Sequence, residues 1–168
     1  MAELKLKQPP DAHKRFMALV TVGLEWLAQV TGIPVSDEAR VIMMAIAGQE
    51  GDWQYRQQIG GPAHSFWQFE EYGGVQGVLT HPASSQHIRD VCDLIYVSCD
   101  TGTVYTAMEW NDRLAVAMAR LLLYTDPAAL PKVGDVNGAW NYYQRNWRPG
   151  APHPETWPDK YDVAQGLL

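Results

Sequence analysis

The stretch Ala12-His13-Lys14-Arg15-Phe16-Met17-Ala18-Leu19-Val20-Thr21-Val22-Gly23-Leu24-Glu25-Trp26-Leu27-Ala28-Gln29-Val30 sets the fold class. Phe16, Leu19, Val20, Leu24, Leu27 and Val30 recur mostly three or four apart, which lines them along one side of a helix. Thr31-Gly32-Ile33-Pro34 carries the Gly and Pro that stop it. Ser36 is placed to cap a second helix, and Asp37 and Glu38 suit the positive end of its dipole. That helix carries Val41, Met44, Ala45 and Gly48 and reaches Glu50. The spacing predicts a third helix over Gln86–Ser98. It also predicts a long one over Thr103–Tyr124, with Met108, Leu114, Met118, Leu121 and Leu122 inward, closed by Asp126-Pro127. A last helix is expected over about Val136–Trp147, followed by a tail, Arg148–Leu168, whose four prolines suit a course over the surface. Gly51–Ser85, rich in Gly, Gln and aromatics, reads as loop with one or two short helices such as Val75–Leu79. No stretch alternates with the period of a strand, and there is neither repeat nor linker, so the expected fold is mainly α in one compact unit.

A length of 168 residues suits one domain that buries about two-thirds of its unfolded surface. With 46% apolar and 11% aromatic residues the chain has enough to fold on. Its net charge of −6 argues against non-specific nucleic-acid binding, which needs a basic face. Two cysteines exclude a disulfide scaffold. Cys92 and Cys99, read as one helix running from Ile88 to Ser98, would stand ~10 Å apart, too far to bridge, and so serve as small buried hydrophobes. No Cys-x-x-Cys or His-x-x-x-His pair is present, so neither a metal nor another cofactor is expected. Met1–Pro10 holds charge and a Pro pair rather than the apolar run of a secretory signal. The longest apolar runs, Val41–Ala47 and Leu121–Tyr124, fall far short of the ~20 residues that span a bilayer. A soluble protein made in the cytoplasm, monomeric and without stable membrane insertion, is the expectation.

The candidate chemistry begins at Ala45-Ile46-Ala47-Gly48-Gln49-Glu50-Gly51-Asp52-Trp53, where an apolar helix meets a loop. A carboxyl there, beside Trp53, can be desolvated; that raises its pKa and makes a general acid near neutral pH. An ordinary exposed Glu in a helix-to-loop turn is the other reading. Gly60-Gly61-Pro62-Ala63-His64-Ser65-Phe66-Trp67-Gln68-Phe69-Glu70 follows, dense in Gly, aromatics and amides. Aromatic faces beside amides suit sugar rings, whose C–H faces stack and whose hydroxyl and N-acetyl groups take hydrogen bonds. One or two of Phe66, Trp67 and Phe69 are equally suited to the core, whereas Gln68 needs polar partners wherever it is buried.

Together these residues resemble the lysozyme-like peptidoglycan-cleaving enzymes, the lytic transglycosylases and goose-type lysozymes. In that family a Glu ends a buried helix and a Gly-Leu-(Met/Trp)-Gln segment follows, here Glu50 and Ser65-Phe66-Trp67-Gln68, 18 residues apart. Ala139-Trp140-Asn141-Tyr142-Tyr143 is similar to the family's later Ala-Tyr-Asn-Ala-Gly, with Asn141 73 residues after Gln68. The resemblance covers about Ser36–Trp147 and is nearest to phage-encoded muramidases and endolysins. It implies a lysozyme-like helical domain with an active-site cleft. Glu50 would protonate the glycosidic oxygen between N-acetylmuramic acid and N-acetylglucosamine. Gln68 and Trp67 would meet the substrate near the cleaved bond, and Trp140, Asn141 and Tyr142 would line the opposite wall. The partner implied is bacterial peptidoglycan. Without a signal the enzyme would reach the wall after holin release or from a virion.

A second carboxylate decides the reaction. Inverting hydrolases place acid and base about 6.5–9.5 Å apart, retaining ones ~5 Å. Glu70, two residues after Gln68, is the candidate base, with Glu71 and Asp52 behind it; a helix-start carboxylate is its structural alternative. A lytic transglycosylase would use Glu50 alone and let the muramyl hydroxyl attack. Three positions depart from the family pattern: Gly51 stands where a Ser often follows the Glu, Ser65 replaces a Gly, and Tyr142-Tyr143 replaces Ala-Gly. The acidic charge is also unusual for a protein that works on an anionic wall. His81 can line the cleft but better suits a structural role in a helix-entry loop, and His64, inside the second motif, is given no role. Ser65, His81 and Asp52 lack the Gly-x-Ser-x-Gly elbow of a serine hydrolase. A non-catalytic glycan-binding or phage structural protein remains the alternative of another class.

Overall fold

The computed structural model describes residues 8–168, so most of the Met1–Pro10 reading lies outside the described residues. The described chain forms α1 (Ala12–Thr31), α2 (Asp37–Gly51), a π-helical turn (Glu71–Val75) running into α3 (Gln76–Thr80), α4 (Ser85–Leu94), α5 (Thr101–Ala107), α6 (Asp112–Tyr124), α7 (Val136–Trp147) and α8 (Trp157–Gln165). Among the described residues there is no strand, only isolated bridges from His64 to Gln57 and Phe69.

The architecture follows from α2, which has no polar side between Ala39 and Gly48 except Arg40. A helix apolar nearly all round must be covered on every flank. Here α8 runs along it, and α1 and α6 cover the remainder. Ser36 starts α2 as its sequence suggests, its Oγ accepting the Ala39 N–H at 3.1 Å. The α1 stripe of Phe16, Val20, Leu24 and Leu27 is buried, and Gly32 ends that helix at φ 76°. Gly23 lets α1 press onto α6: a β-carbon there would lie 2.7 Å from Val116 Cγ1.

Three expectations need correction. The helix foreseen over Thr103–Tyr124 breaks at Met108–Asn111, because the Asn111 side chain accepts the Leu114 N–H at 3.1 Å and starts α6 afresh. The tail after Arg148 does not merely lie over the surface. Trp157, Tyr161 and Ala164 of α8 are buried, an i, i+4, i+7 stripe that completes the cover of α2. Finally, Cys92 and Cys99 do not share a helix. α4 stops at Leu94, Val97 N–H turns back to the Cys92 carbonyl at 3.0 Å, and the two free thiols adjoin. Burial and the neighbouring Cys99 push the Cys92 thiol up to about 12. No described helix is long and apolar enough to cross a membrane.

After α2 the backbone turns left-handed at Asp52 (φ 50°) and Trp53 (φ 58°), which swings the Trp53 indole back onto Gly48. The indole N–H donates to the Met44 carbonyl at 2.8 Å, so the ring cannot yield. A β-carbon on Gly48 would lie 2.5 Å from Trp53 Cε2. Gly48→Ala is therefore expected to destabilise by about 1–3 kcal/mol despite its better helix propensity. Thermal unfolding followed by circular dichroism reads this as a fall of at least a few degrees; an unchanged or raised midpoint would show the packing to be looser than described.

Candidate active site

Between α2 and the π-helical turn, His64 and Phe69 exchange both backbone hydrogen bonds, at 2.9 and 2.8 Å. Ser65-Phe66-Trp67-Gln68 is the turn that this pair closes. Ser65 (φ 66°) and Gln68 (φ 51°) are both left-handed. Ser65 is buried at a conformation that favours Gly, and its Oγ holds the turn by accepting the Trp67 N–H at 3.2 Å. Gln68 Nε2 donates to the carbonyls of Ser65 (2.8 Å) and Tyr55 (3.1 Å). Both amide hydrogens are thus committed to the loop, and Oε1 is the atom left to accept. Gly51 permits the turn to close over the end of α2, since a β-carbon there would lie 3.2 Å from the Phe66 carbonyl oxygen.

A cleft of about 860 Å³ opens beside this turn, with Glu50, Gln68, Glu70, Tyr143 and Trp147 among its lining residues. Glu50 stands at the end of α2, mostly withdrawn from solvent. Tyr143 on α7 donates its hydroxyl to Glu50 Oε1 at 2.5 Å. Burial pushes the Glu50 carboxyl up to about 7, against the opposite pull of that hydrogen bond. Burial and the Glu50 charge push the Tyr143 hydroxyl upward as well, so it remains a donor. Tyr143 is held in place by the Trp157 ring, stacked at 5.3 Å and 9°, and by Trp140 at 5.3 Å. Trp147, one helical turn further, donates its indole N–H to the Trp67 carbonyl at 2.9 Å and so joins α7 to the turn.

The structure brings Glu50, Gln68 and Glu70 to one cleft. Glu70 is exposed, directly before the π-helical turn. It does not bring the other expected contacts there. Trp67 is fully buried, with its indole N–H on the Met43 carbonyl at 2.9 Å, and belongs to the core. Tyr142 is buried too, its hydroxyl donating to the Leu123 carbonyl at 2.9 Å. Trp140 lies outside the cleft lining and braces Tyr143 from behind, and Asn141 is exposed elsewhere on α7. The reason is helical phase: α7 turns Tyr143, Asn146 and Trp147 to the cleft, and Ala139 and Tyr142 to the core. That i, i+3, i+4 set was readable within Val136–Trp147 and singles out Tyr143, which the motif comparison passed over. Tyr72, 77% exposed on the cleft, was also missed. His81 lines the cleft, yet its Nδ1 accepts the Ala83 N–H at 3.1 Å and shapes its own turn. His64 stacks on Tyr105 at 3.9 Å, and Asp52 pairs with Lys160; neither lines the cleft. Among the described residues no three of His, Cys, Asp and Glu are gathered as a metal site requires.

No protein-family model matches this chain, and neither a curated protein nor a solved structure matches it.

The raised Glu50 carboxyl carries a stability consequence. Its ordinary value is 4.5 and its folded value about 7, so folding favours the neutral form. The full stability is present below 4.5 and is lost as pH climbs to about 7, a difference of about 3 kcal/mol. Glu50→Gln, which can still accept from Tyr143, removes that dependence. The variant is expected to melt with the wild type near pH 4 and several degrees above it at pH 8; parallel curves at both pH values would place the carboxyl in solvent.

Proposed function

We propose that this chain is a lysozyme-like enzyme that cleaves the glycan strands of bacterial peptidoglycan, with Glu50 as the general acid. The observation that carries the proposal is a carboxyl at the end of a buried helix that lines an open cleft and keeps its proton near neutral pH. Tyr143 occupies Oε1 as a donor, which leaves the acid's own proton on Oε2. From there it passes to the glycosidic oxygen between N-acetylmuramic acid and N-acetylglucosamine as that bond breaks. The Tyr143 hydrogen bond then steadies the carboxylate left behind, so donor and acid act as one unit. Gln68 Oε1 accepts from a sugar hydroxyl or an N-acetyl N–H. Glu70, exposed on the same cleft, takes a proton from the incoming water, and Tyr72 offers a face on which a sugar can stack. The setting that fits is a phage endolysin or virion lysin, acting on the wall as a monomer after release from the cytoplasm or from the particle.

One observation favours a second reading. Glu50 is the half-buried, hydrogen-bonded carboxyl of the cleft, whereas Glu70 is exposed and has no hydrogen-bond partner among the described side chains to fix its direction. A lytic transglycosylase needs only Glu50, with the muramyl hydroxyl attacking in place of water.

Purified peptidoglycan digested by the protein and analysed by mass spectrometry separates these readings. Fragments with reducing muramyl ends indicate hydrolysis and a role for Glu70; anhydromuramyl ends, lighter by one water, indicate transglycosylation. Glu50→Gln is expected to lose at least about 10²-fold in rate by either route. Equal fragment yields from wild type and variant, or none from either, overturn the proposal.

The pH profile gives an independent check. Activity should fall as pH rises through about 7, where Glu50 loses its proton. The Tyr143 hydrogen bond lowers that value, so Tyr143→Phe should move the falling limb to higher pH while reducing the rate. A limb that stays in place, or moves to lower pH, would separate Tyr143 from the titrating group.

A further inference from the structure

Arg148 follows the last residue of α7 at φ 49° and ψ 53°, with its N–H on the Gln144 carbonyl at 2.9 Å. Just past a helix this left-handed conformation usually belongs to Gly or Asn, because a β-carbon is strained there. The strain is therefore tolerated for a side chain, and the fold itself makes little use of that side chain. Its one protein hydrogen bond runs from Nε to the Arg145 carbonyl at 3.4 Å, and it has no acidic partner among the described residues. Arg145, the other arginine on the cleft, is committed: its Nε donates to Asp126 Oδ2 at 2.5 Å and its guanidinium lies over the Tyr142 ring. In a chain of net charge −6, Arg148 is an unneutralised guanidinium on the cleft wall.

Its surroundings hold it there. Pro149, Pro152 and Pro154 stiffen the segment that leads on to α8. Gln49, the neighbour of the acid, pins this segment: its Nε2 donates to the His153 carbonyl and its Oε1 accepts from Thr156 Oγ1, both at 3.0 Å. Arg148, Pro149 and His153 consequently line the same cleft as Glu50. An unbranched N-acetylglucosamine strand carries no charge for a guanidinium to meet. In peptidoglycan the charged group is the carboxylate on the 3-O-lactyl arm of the muramyl residue, either the lactyl carboxylate itself or that of a peptide stem joined through it. A guanidinium meets such a group with two parallel N–H donors.

We propose that Arg148 binds a carboxylate carried on the muramyl 3-O-lactyl arm and so selects peptidoglycan over a neutral glycan; this rests on the glycan-cleaving reading above. The test measures binding by calorimetry in a Glu50→Gln parent, so that nothing is turned over. Three probes are compared: N-acetylglucosamine oligomers, peptide-stripped glycan with free lactyl carboxylates, and peptide-bearing glycan. Arg148→Gly removes the side chain at a backbone conformation that Gly prefers, so the variant is expected to fold at least as well. The expected result is an affinity loss of about tenfold on carboxylate-bearing probes and less than about twofold on the neutral oligomer, with the selective part shrinking in high salt. Loss on the peptide-stripped glycan alone assigns the lactyl carboxylate, loss on the peptide-bearing probe alone assigns the stem, and loss on both shows that Arg148 accepts either carboxylate. Equal loss on all three probes, or loss on none, overturns the role of Arg148 and leaves the glycan reading standing. Failure of the parent to bind any probe overturns the glycan reading and this assignment with it.

Discussion

The Tyr143 hydroxyl on Glu50 Oε1 ties the outer helix α7 to the end of α2, and most of the structure around the cleft serves that contact. α2 has to be apolar on nearly every side to carry a carboxyl out of water at its last turns. It then needs cover from α1, α6 and α8. α8 supplies Trp157 both to that cover and to the stack behind Tyr143. The same aromatic group therefore seals the core and aims the hydroxyl. Trp140 adds a second brace, and Trp147 fastens the end of α7 to the turn that holds Gln68. A change in any of these rings alters the position of the one donor that steadies Glu50.

The helices were legible where apolar spacing and a terminating residue agreed. α1, with its stripe and Gly32, and α2, with Ser36, show both signals. They were misread where a polar side chain broke a continuous apolar pattern. Asn111 caps α6 in the middle of what spacing alone joins into one helix. The early end of α4 is a local cap that spacing does not mark: Tyr96 is left-handed (φ 56°) where Gly is usual, and the Val97 N–H returns to the Cys92 carbonyl. α8 was concealed by the prolines of the tail, yet the one inside it, Pro158, sits at the second position of the helix, where a missing N–H costs nothing.

At the cleft, the motif picked out Glu50 and Gln68, which both line it and both stand where an element ends. It could not assign α7. A motif read as a string puts Trp140, Asn141 and Tyr142 side by side, but a helix separates neighbours by 100° and sends them to three different places. Periodicity, not likeness, brings out Tyr143, Asn146 and Trp147. Positions 51 and 65 teach the converse. They depart from the motif that this stretch resembles, and the backbone shows what each residue does there. Gly51 leaves room for the Phe66 carbonyl, and Ser65 holds a left-handed turn by bonding the Trp67 N–H.

The two carboxyls on the cleft stand in opposite surroundings, and that contrast orders their roles on the proposed reading. Glu50 is half-buried and hydrogen-bonded by Tyr143, with its carboxyl pushed up to about 7. Glu70 faces solvent at the start of the π-helical turn. If both take part, the enclosed group gives the proton and the exposed one meets water. The same logic reaches the net charge. An acidic protein gains no long-range attraction to an anionic wall. On the proposed reading, recognition of such a wall is local, at a cation without an acidic partner, and on the cleft Arg148 meets that condition among the described residues. Binding of this kind depends on close geometry more than on encounter, which is consistent with a residue whose backbone is set between a helix end and a proline.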